Sequence, residues 1–224
     1  MDRKQVLYLW LAGLFVTALV VGDLIGGRFF RVAGVDLSGG MLLFPLTFVL
    51  TDVINEFYGP LGARRITYLG LGTATFAFLA ISLILVLPTS DVGTAPDLVA
   101  KVLGTSQRLF LASLTAYFLG QLSDIAIFGL LRRVTGHRMI WLRATGSTLV
   151  SQLIDSFVVL YIAFVLGPQH WPIPLFLAVG TVNYAYKFVV AIAATPLVYL
   201  GHRLIERHLG HETAEALKRQ AAAG

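Results

Sequence analysis

Several ionisable side chains interrupt the apolar stretches of this 224-residue chain. A charge in the hydrocarbon core of a membrane is costly, so ionisable residues in such stretches mark binding sites, proton relays or ion pairs. One such residue alone is equally well explained as a polar contact between helices. Five of them on four different stretches favour a functional site, and the five are Asp52, Glu56, Asp124, Asp155 and Lys187.

Helical spacing gathers these residues and nearby amides into polar faces. Residues three, four or seven positions apart share one face of a helix. The four faces contain Asp52, Asn55 and Glu56; Tyr117, Gln121 and Asp124; Gln152 and Asp155; and Asn183 and Lys187. At a rise of about 1.5 Å per residue, these groups reach overlapping depths in their stretches. The sequence therefore predicts one central polar cavity.

The residue types of this cavity suit a planar ligand that carries several hydrogen-bonding groups. An amide beside a carboxylate offers both donors and acceptors, and a carboxylate accepts two parallel N–H bonds from a guanidinium-like edge. Because four carboxylates accompany one ammonium, we expect one carboxylate to pair with Lys187 and at least one other to be protonated or to bind ligand donors. The aromatic candidates for stacking on the ligand are Phe44, Phe48, Phe57, Tyr117 and Tyr184.

Missing residues and motifs argue against several enzyme classes. The chain has no cysteine, so it has no disulfide, zinc thiolate site or cysteine nucleophile. It also lacks the phosphate-binding loop and the H-E-x-x-H and G-x-S-x-G patterns. We expect no cofactor and no metal site. A membrane enzyme that uses paired carboxylates as acid and base remains the lesser alternative.

Composition and hydropathy define the elements that must position these residues. Hydrophobic residues make up 57% of the chain and charged residues 13%, against about 25% charged residues in soluble domains. A membrane-spanning helix needs about 20 mostly apolar residues. The sequence predicts an all-α polytopic membrane protein with six transmembrane helices, near residues 5–25, 40–57, 66–87, 109–131, 147–166 and 175–200.

The segments outside these helices are a loop and a tail. Residues 88–108 are predicted to form one long external loop, and residues from 202 onward resemble a charged amphipathic helix. We therefore expect a transmembrane transporter domain over residues 1–200 and a cytoplasmic amphipathic tail over residues 201–224.

Lysine and arginine residues indicate the orientation, because they are enriched in cytoplasmic loops. Four lie on the predicted outer side: Arg28, Arg31, Lys101 and Arg108. Twelve lie on the predicted inner side: Arg3, Lys4, Arg64, Arg65, Arg132, Arg133, Arg138, Arg143, Arg203, Arg207, Lys218 and Arg219. Both termini are thus expected in the cytoplasm. The net charge of +5 is a topology signal of this kind, and no nucleic-acid partner is expected.

The segment FPLTFVLTDVINEFYG (residues 44–59), followed by Ala63-Arg64-Arg65, resembles the signature of the bacterial queuosine precursor transporter family. GQLSDI (120–125), SQLIDSF (151–157) and NYAYK (183–187) resemble it as well. The resemblance covers roughly residues 40–200 and implies a six-span inner-membrane importer of the 7-deazaguanines preQ0 and preQ1. Carried over by motif, it implies as site residues Asp52, Asn55, Glu56, Gln121, Asp124, Gln152, Asp155, Asn183 and Lys187.

The leading prediction is therefore a secondary transporter of queuosine precursors, not an enzyme, embedded as a multi-pass protein in the cytoplasmic membrane. The alternative within transport is a substrate-binding subunit of an ATP-driven vitamin or precursor uptake complex, since such subunits are also six-span proteins of this size. The sequence leaves open a homo-oligomeric state, the energy coupling, and the preference between preQ0 and preQ1.

Overall fold

The computed structural model describes residues 2–32, 34–90, 92, 94–135, 140–193 and 195–223. Within these ranges it does not describe the side chains of residues 60, 121, 124, 125, 128, 129, 131–135, 140–148, 191, 192, 195, 198, 222 and 223.

Helices make up most of the described chain. They are α1 (Arg3–Ile25), α2 (Phe44–Val86), α3 (Pro96–Thr135), α4 (Ile140–Leu160), α5 (Ile173–Ala193), α6 (Thr195–Leu209) and α7 (His211–Ala223). A 3₁₀ turn (Gly39–Leu42) precedes α2, and a π-helical turn (Tyr161–Val165) continues α4. Two short strands, β1 (Phe29–Val32) and β2 (Val35–Ser38), pair with each other between α1 and α2.

The chain folds into two compact units. The first unit contains Met1–Phe30, Ser38–Ala77 and Tyr186–Gly224. The second contains Arg31–Leu37 and Phe78–Ala185.

In the first unit, α2 reverses direction at Gly59, which has φ 71° and ψ −178°. Before the reversal, the first arm of α2 (residues 44–58) runs antiparallel to α1, because Tyr58 donates its hydroxyl to the Lys4 carbonyl while Leu50 packs near Phe15. After it, the part of the second arm (residues 60–86) that lies in the first unit runs parallel to α1, because Tyr8 donates to the Gly62 carbonyl and a Cβ at Gly70 would lie 3.0 Å from the Phe15 ring. The sequence predicted two separate helical stretches, near residues 40–57 and 66–87, and the non-helical Gly59 lies between them.

Two apolar clusters hold the first unit together. One joins α1 to both arms of α2 and consists of Ala12, Phe15, Leu50, Ile54 and Ile66. The other joins α2 to the carboxyl-terminal helices and consists of Val53, Phe57, Ile205, Leu209, Ala214 and Leu217. The helix that follows Gly210 therefore packs back onto the first arm of α2.

In the second unit, α3 and α4 pack along each other, and α5 packs on α4. The rings of Phe157 and Tyr161 contact Phe176 edge-on, with centroid distances of 5.5 and 5.8 Å. The amide of Gln107 donates to the Ser82 hydroxyl at 2.7 Å, which ties α3 to the end of α2. These contacts set the register of the helices that carry the candidate site.

Three helices in the described part of the chain are long and apolar enough to cross a membrane, namely Arg3–Ile25, Leu61–Val86 and Ile173–Val190. A shorter apolar helix covers Leu149–Val165. They coincide with the predicted first, third, sixth and fifth spans. The protein is thus an α-helical, multi-pass membrane protein. The span predicted near 40–57 lies mostly in the first arm of α2, and the one near 109–131 lies within α3. Both stay predictions.

The long external loop predicted over residues 88–108 is wrong in its second half, because α3 begins at Pro96. Proline is favoured in the first turn of a helix, where its missing N–H group has no acceptor to lose. Asp97 in the same turn complements the positive end of the helix dipole. The amides of Leu98 and Val99 close the first turn on the Ala95 carbonyl. The short strand pair was also absent from the sequence prediction.

The docking of α7 is expected to depend on pH through Lys218. Its ammonium donates to Glu206 at 2.7 Å and to Glu215 at 3.2 Å. The bond between Lys218 and Glu206 raises the pKa of Lys218 above 10.5 and lowers the pKa of Glu206 below 4.5. Stabilisation from Glu206 is then lost as the pH falls through its lowered pKa, and stabilisation from Lys218 is lost as the pH rises through its raised pKa.

Amide hydrogen exchange over residues 211–223 measures this dependence. We expect protection to be constant between pH 4.5 and pH 10.5, the ordinary pKa values of Glu206 and Lys218, and to fall at lower and at higher pH. In Lys218→Gln the protection should be lower at neutral pH and should change less at the two extremes. Equal protection of the variant and the parent at every pH would contradict a role for this contact.

Candidate functional site

Contacts between α4 and α5 fix their register in the second unit. The hydroxyl of Tyr184 donates to the Leu149 carbonyl at 3.2 Å. A Cβ at Gly180 would lie 2.6 to 3.0 Å from atoms of the Phe157 ring, so glycine is what allows the two helices to approach. Because residue 184 meets 149 and residue 180 meets 157, the helices are antiparallel, and Asn183 lies at the level of residues 150–154.

The register of α3 against α4 adds a third helix at the same level. Gly120 lies beside Ser151, whose carbonyl oxygen is 3.9 Å from the position of a Cβ at Gly120. Since α3 and α4 follow one another as an antiparallel pair, Tyr117 lies near the level of residue 154. Three helices thus bring Tyr117, Gln152 and Asn183 to one level of the second unit.

Two amide oxygens at this level are buried and have no hydrogen-bond partner in the described part of the chain. They are Gln152 Oε1 and Asn183 Oδ1. The side chain of Asn183 is only 2% exposed. A buried polar group without a partner costs about 1–3 kcal/mol, and native structures keep few of them. Such atoms are the acceptors that a bound ligand with N–H donors would satisfy.

Among the other predicted residues of the second unit, the structure describes the side chains of Tyr117 and Asp155 but not those of Gln121 and Asp124. Asp155 is partly buried and lies three residues beyond Gln152, about 4.5 Å along α4. Tyr117 is partly buried as well. The backbones of Gln121 and Asp124 lie in α3, but their side chains are outside the described residues.

In the first unit, the first arm of α2 separates its apolar and acidic faces. Val53, Ile54 and Phe57 are at most 3% exposed and form the core face. The residues predicted from the sequence lie on the other face: Asp52, Asn55 and Glu56 are exposed. This helix therefore holds its two carboxylates one turn apart and away from the core of its own unit.

Lys187 lies at the other end of this arm. Its side chain is 7% exposed, and its Nζ lies 5.0 Å from the centroid of the Phe44 ring. The neighbouring Tyr186 donates its hydroxyl to the Met41 carbonyl at 3.2 Å. Phe44 is eight residues from Asp52, about 12 Å along an α-helix. Sequence reasoning missed this cation–π contact, because Phe44 and Lys187 lie far apart in the chain and only the fold brings them together.

One predicted aromatic residue does not belong to the site. Phe57 is fully buried, its ring contacts His202 at a centroid distance of 5.2 Å, and the Lys218 ammonium lies 5.2 Å from it. It is a core residue under α6 and α7, so the prediction that it stacks on a ligand is wrong. Phe44 and Phe48 contact each other at 5.1 Å.

The candidate site residues of the second unit are suited to binding a ligand through hydrogen bonds and stacking. Amide oxygens accept hydrogen bonds, a carboxylate accepts up to two parallel ones, and a tyrosine ring offers a face for stacking. Buried hydrogen-bonding groups among apolar helices are typical of substrate pathways in polytopic membrane transporters. That is the class of protein to which the fold and the site point.

Comparison with known proteins gives the family. Residues 38–201 match a family model described as "Putative vitamin uptake transporter". The chain is 32% identical over 198 residues to the "Probable queuosine precursor transporter" of Bacillus subtilis, covering 86% of this chain and 85% of that protein. It is 28% identical over 162 residues to the "Queuosine precursor transporter" of Escherichia coli, covering 72% and 70%. The chain belongs to the queuosine precursor transporter family.

A third relative bears the same type of name. It is the "Probable queuosine precursor transporter" of Haemophilus influenzae, 28% identical over 153 residues, which cover 68% of this chain and 63% of that protein. No solved structure matches the chain.

Proposed function

We propose that this protein imports queuosine precursors, the 7-deazaguanines preQ0 and preQ1, across the cytoplasmic membrane. One structural observation carries the proposal: Gln152 and Asn183 hold buried amide oxygens without a partner in the described chain, at one level of three packed helices. The family, and the names of its relatives, support the class of substrate.

The ligand matches these groups in its pattern of donors. A 7-deazaguanine has a lactam N–H beside an exocyclic amine, so it presents several N–H groups to acceptors. Each amide oxygen can accept such a bond, and the carboxylate of Asp155 can accept two in parallel. The aminomethyl group of preQ1 is cationic and would pair with a second carboxylate, whereas the nitrile of preQ0 needs none.

The orientation belongs to the proposal as well. We propose six spans with both termini in the cytoplasm, following the twelve-to-four distribution of basic residues. The reversal at Gly59 supports it, because the two arms of α2 then run in opposite directions and place Arg64 and Arg65 at the same end as Arg3 and Lys4. The single central cavity predicted from the sequence stays a prediction.

Rescue of queuosine in tRNA tests the function. In cells that lack both queuosine synthesis and precursor uptake, expression of this chain with added preQ0 or preQ1 is expected to restore queuosine in tRNA. Failure of the well-expressed chain to restore it with either precursor would exclude the proposed function. Measuring uptake with and without a pH gradient would separate proton-coupled from passive import.

Removing charge from the acidic face of α2 is expected to reduce this uptake at least tenfold. Asp52→Asn and Glu56→Gln each remove a charged acceptor, and a hydrogen bond to a charged group is worth about 1.5–3 kcal/mol. Both residues are exposed in the chain, so the melting temperature should not change. The matched controls are Asp97→Asn and Glu212→Gln at exposed helix starts. Unchanged uptake in both α2 variants would remove this face from the site.

A second candidate is a substrate-binding subunit of an ATP-driven vitamin uptake complex, favoured by the description of the matching family model. Such a subunit needs a partner that hydrolyses ATP. Uptake by this chain alone, in a host without that partner, decides between the two. The names of the family and of its relatives are those of transporters, not of enzymes.

A further inference from the structure

A groove of about 550 Å³ opens in the first unit where α1 and the second arm of α2 begin. Its residues come from the first two turns of α1, from α2 on both sides of Gly59 and from α7, and they include Lys4, Leu9, Leu61, Arg65 and Leu217. We call it the amino-terminal groove. Two hydrogen bonds from tyrosine hydroxyls join its walls. Tyr8 donates to the Gly62 carbonyl at 2.9 Å, and Tyr58 donates to the Lys4 carbonyl at 2.8 Å.

The side chains that line the amino-terminal groove carry positive charge, from Lys4 and Arg65. The side chains of Lys4 and Arg65 form no ion pair or hydrogen bond with the residues that the structure describes. None of the described residues that line the groove is a carboxylate. Asp2, the N-cap of α1, makes no side-chain capping bond and does not line the groove, and its carboxylate offsets part of the positive potential at this end of the helix.

The depth of the groove follows from the helices that form it. Arg3–Ile25 and Leu61–Val86 are both long enough to cross a membrane, and they run parallel with their amino-terminal ends side by side. Helices of 23 and 26 residues are about 35 and 39 Å long, which exceeds the hydrocarbon core of about 30 Å. The start of both helices therefore lies at the level of the lipid headgroups, with Leu9, Leu61 and Leu217 as apolar walls.

We propose that the amino-terminal groove binds one anionic phospholipid, whose phosphodiester lies between Lys4 and Arg65 and whose glycerol and upper acyl carbons contact the leucines. The volume suits a headgroup, the two free cations complement a phosphate, and the apolar walls favour a lipid over a free anion. Basic pockets beside membrane helices are known to bind anionic headgroups in this way. The site is separate from the polar residues assigned to transport.

Native mass spectrometry of the purified chain in neutral detergent tests the proposal with dioctanoyl phosphatidylglycerol, dioctanoyl phosphatidylcholine and inorganic phosphate as probes. We expect one tightly bound phosphatidylglycerol, and far weaker binding of the other two. Each basic residue near a membrane surface contributes roughly fivefold in affinity, so Lys4→Gln/Arg65→Gln should weaken phosphatidylglycerol binding about 25-fold.

A charge-matched control separates the groove from general surface attraction. Arg3→Gln/Arg64→Gln removes the same two charges one position away, from residues that are exposed and do not line the groove. This control should keep binding within about threefold of the parent. Equal loss in the two double variants, equal affinity for phosphatidylcholine, or displacement of the lipid by millimolar phosphate would each overturn the proposal. The side chains of Lys4 and Arg65 form no hydrogen bond or ion pair with the described residues, so their substitution is not expected to impair folding.

Discussion

Replacing Gln152 or Asn183 by leucine is expected to abolish most uptake while leaving the protein as stable as before, or more stable. The amide oxygens of both residues are buried without a partner in the described chain, and leucine has the branched shape of asparagine and one non-hydrogen atom fewer than glutamine. Removing an unsatisfied buried acceptor relieves a cost of about 1–3 kcal/mol, which corresponds to a rise of several degrees in melting temperature.

The loss of uptake follows from the same atoms. If each oxygen accepts an N–H of the ligand, its removal leaves that donor unsatisfied in a desolvated site, which costs about 1–3 kcal/mol. We expect precursor uptake to fall at least tenfold for each variant at equal expression. The combination of higher stability and lower uptake is what distinguishes a ligand-binding residue from a structural one.

Ser156→Ala is the matched control for these variants. Ser156 is 3% exposed and lies one turn beyond Gln152 on α4, but its hydroxyl donates to the Gln152 carbonyl within the same helix. Its removal should leave uptake unchanged. If the leucine variants instead melt at a lower temperature and lose uptake in proportion to that loss, the amides are structural bonds between helices and the proposed site is wrong.

The sequence was sufficient to identify candidate site residues of the second unit. It was not sufficient to predict that their amide oxygens are buried without a partner. Polar residues at helical spacing in apolar stretches identified Gln152 and Asn183. Their burial without a partner depends on the distance between α4 and α5, which is set by the contact of Gly180 with the Phe157 ring. A glycine in an apolar stretch gives no indication of which ring it will meet, so this step required the structure.

In the first unit, the sequence predicted the acidic face of the first arm of α2 but not its core face. The motif around Asp52 and Glu56 predicted an acidic face, and the structure has that face. The same motif led to the wrong assignment of Phe57, which occupies the core face only because α6 and α7 return to cover it. An amphipathic tail can be recognised from its sequence, whereas the helix that it covers cannot.

Gly59→Ala is expected to destabilise the protein by about 3 kcal/mol or more. Gly59 has φ 71° and ψ −178°, a region of backbone conformation that is nearly exclusive to glycine and costs other residues about 1–3 kcal/mol. A Cβ there would also lie 3.0 Å from the carbonyl oxygen of Ala221 and 3.1 Å from its Cα. These are backbone atoms of α7, so relief requires α7 to move.

Differential scanning fluorimetry and uptake measure the effect together. A loss of about 3 kcal/mol corresponds to a fall of roughly 6–12 °C in melting temperature for a chain of this size, and hydrogen exchange over α7 should increase. Uptake should fall as well, because the reversal at Gly59 sets the direction of the arm that holds Asp52 and Glu56.

Gly72→Ala provides the control in the same helix. No atom lies within 4 Å of a Cβ at Gly72, and alanine is favoured over glycine in a helix by about 0.5–1 kcal/mol. The control should therefore keep full uptake and melt at the same or a slightly higher temperature. If Gly59→Ala behaved like Gly72→Ala, α2 would not require a positive φ at residue 59, and the reversal at this residue would be contradicted. In that case the positions of Arg64 and Arg65 beside Lys4, and the amino-terminal groove with them, would also have to be revised.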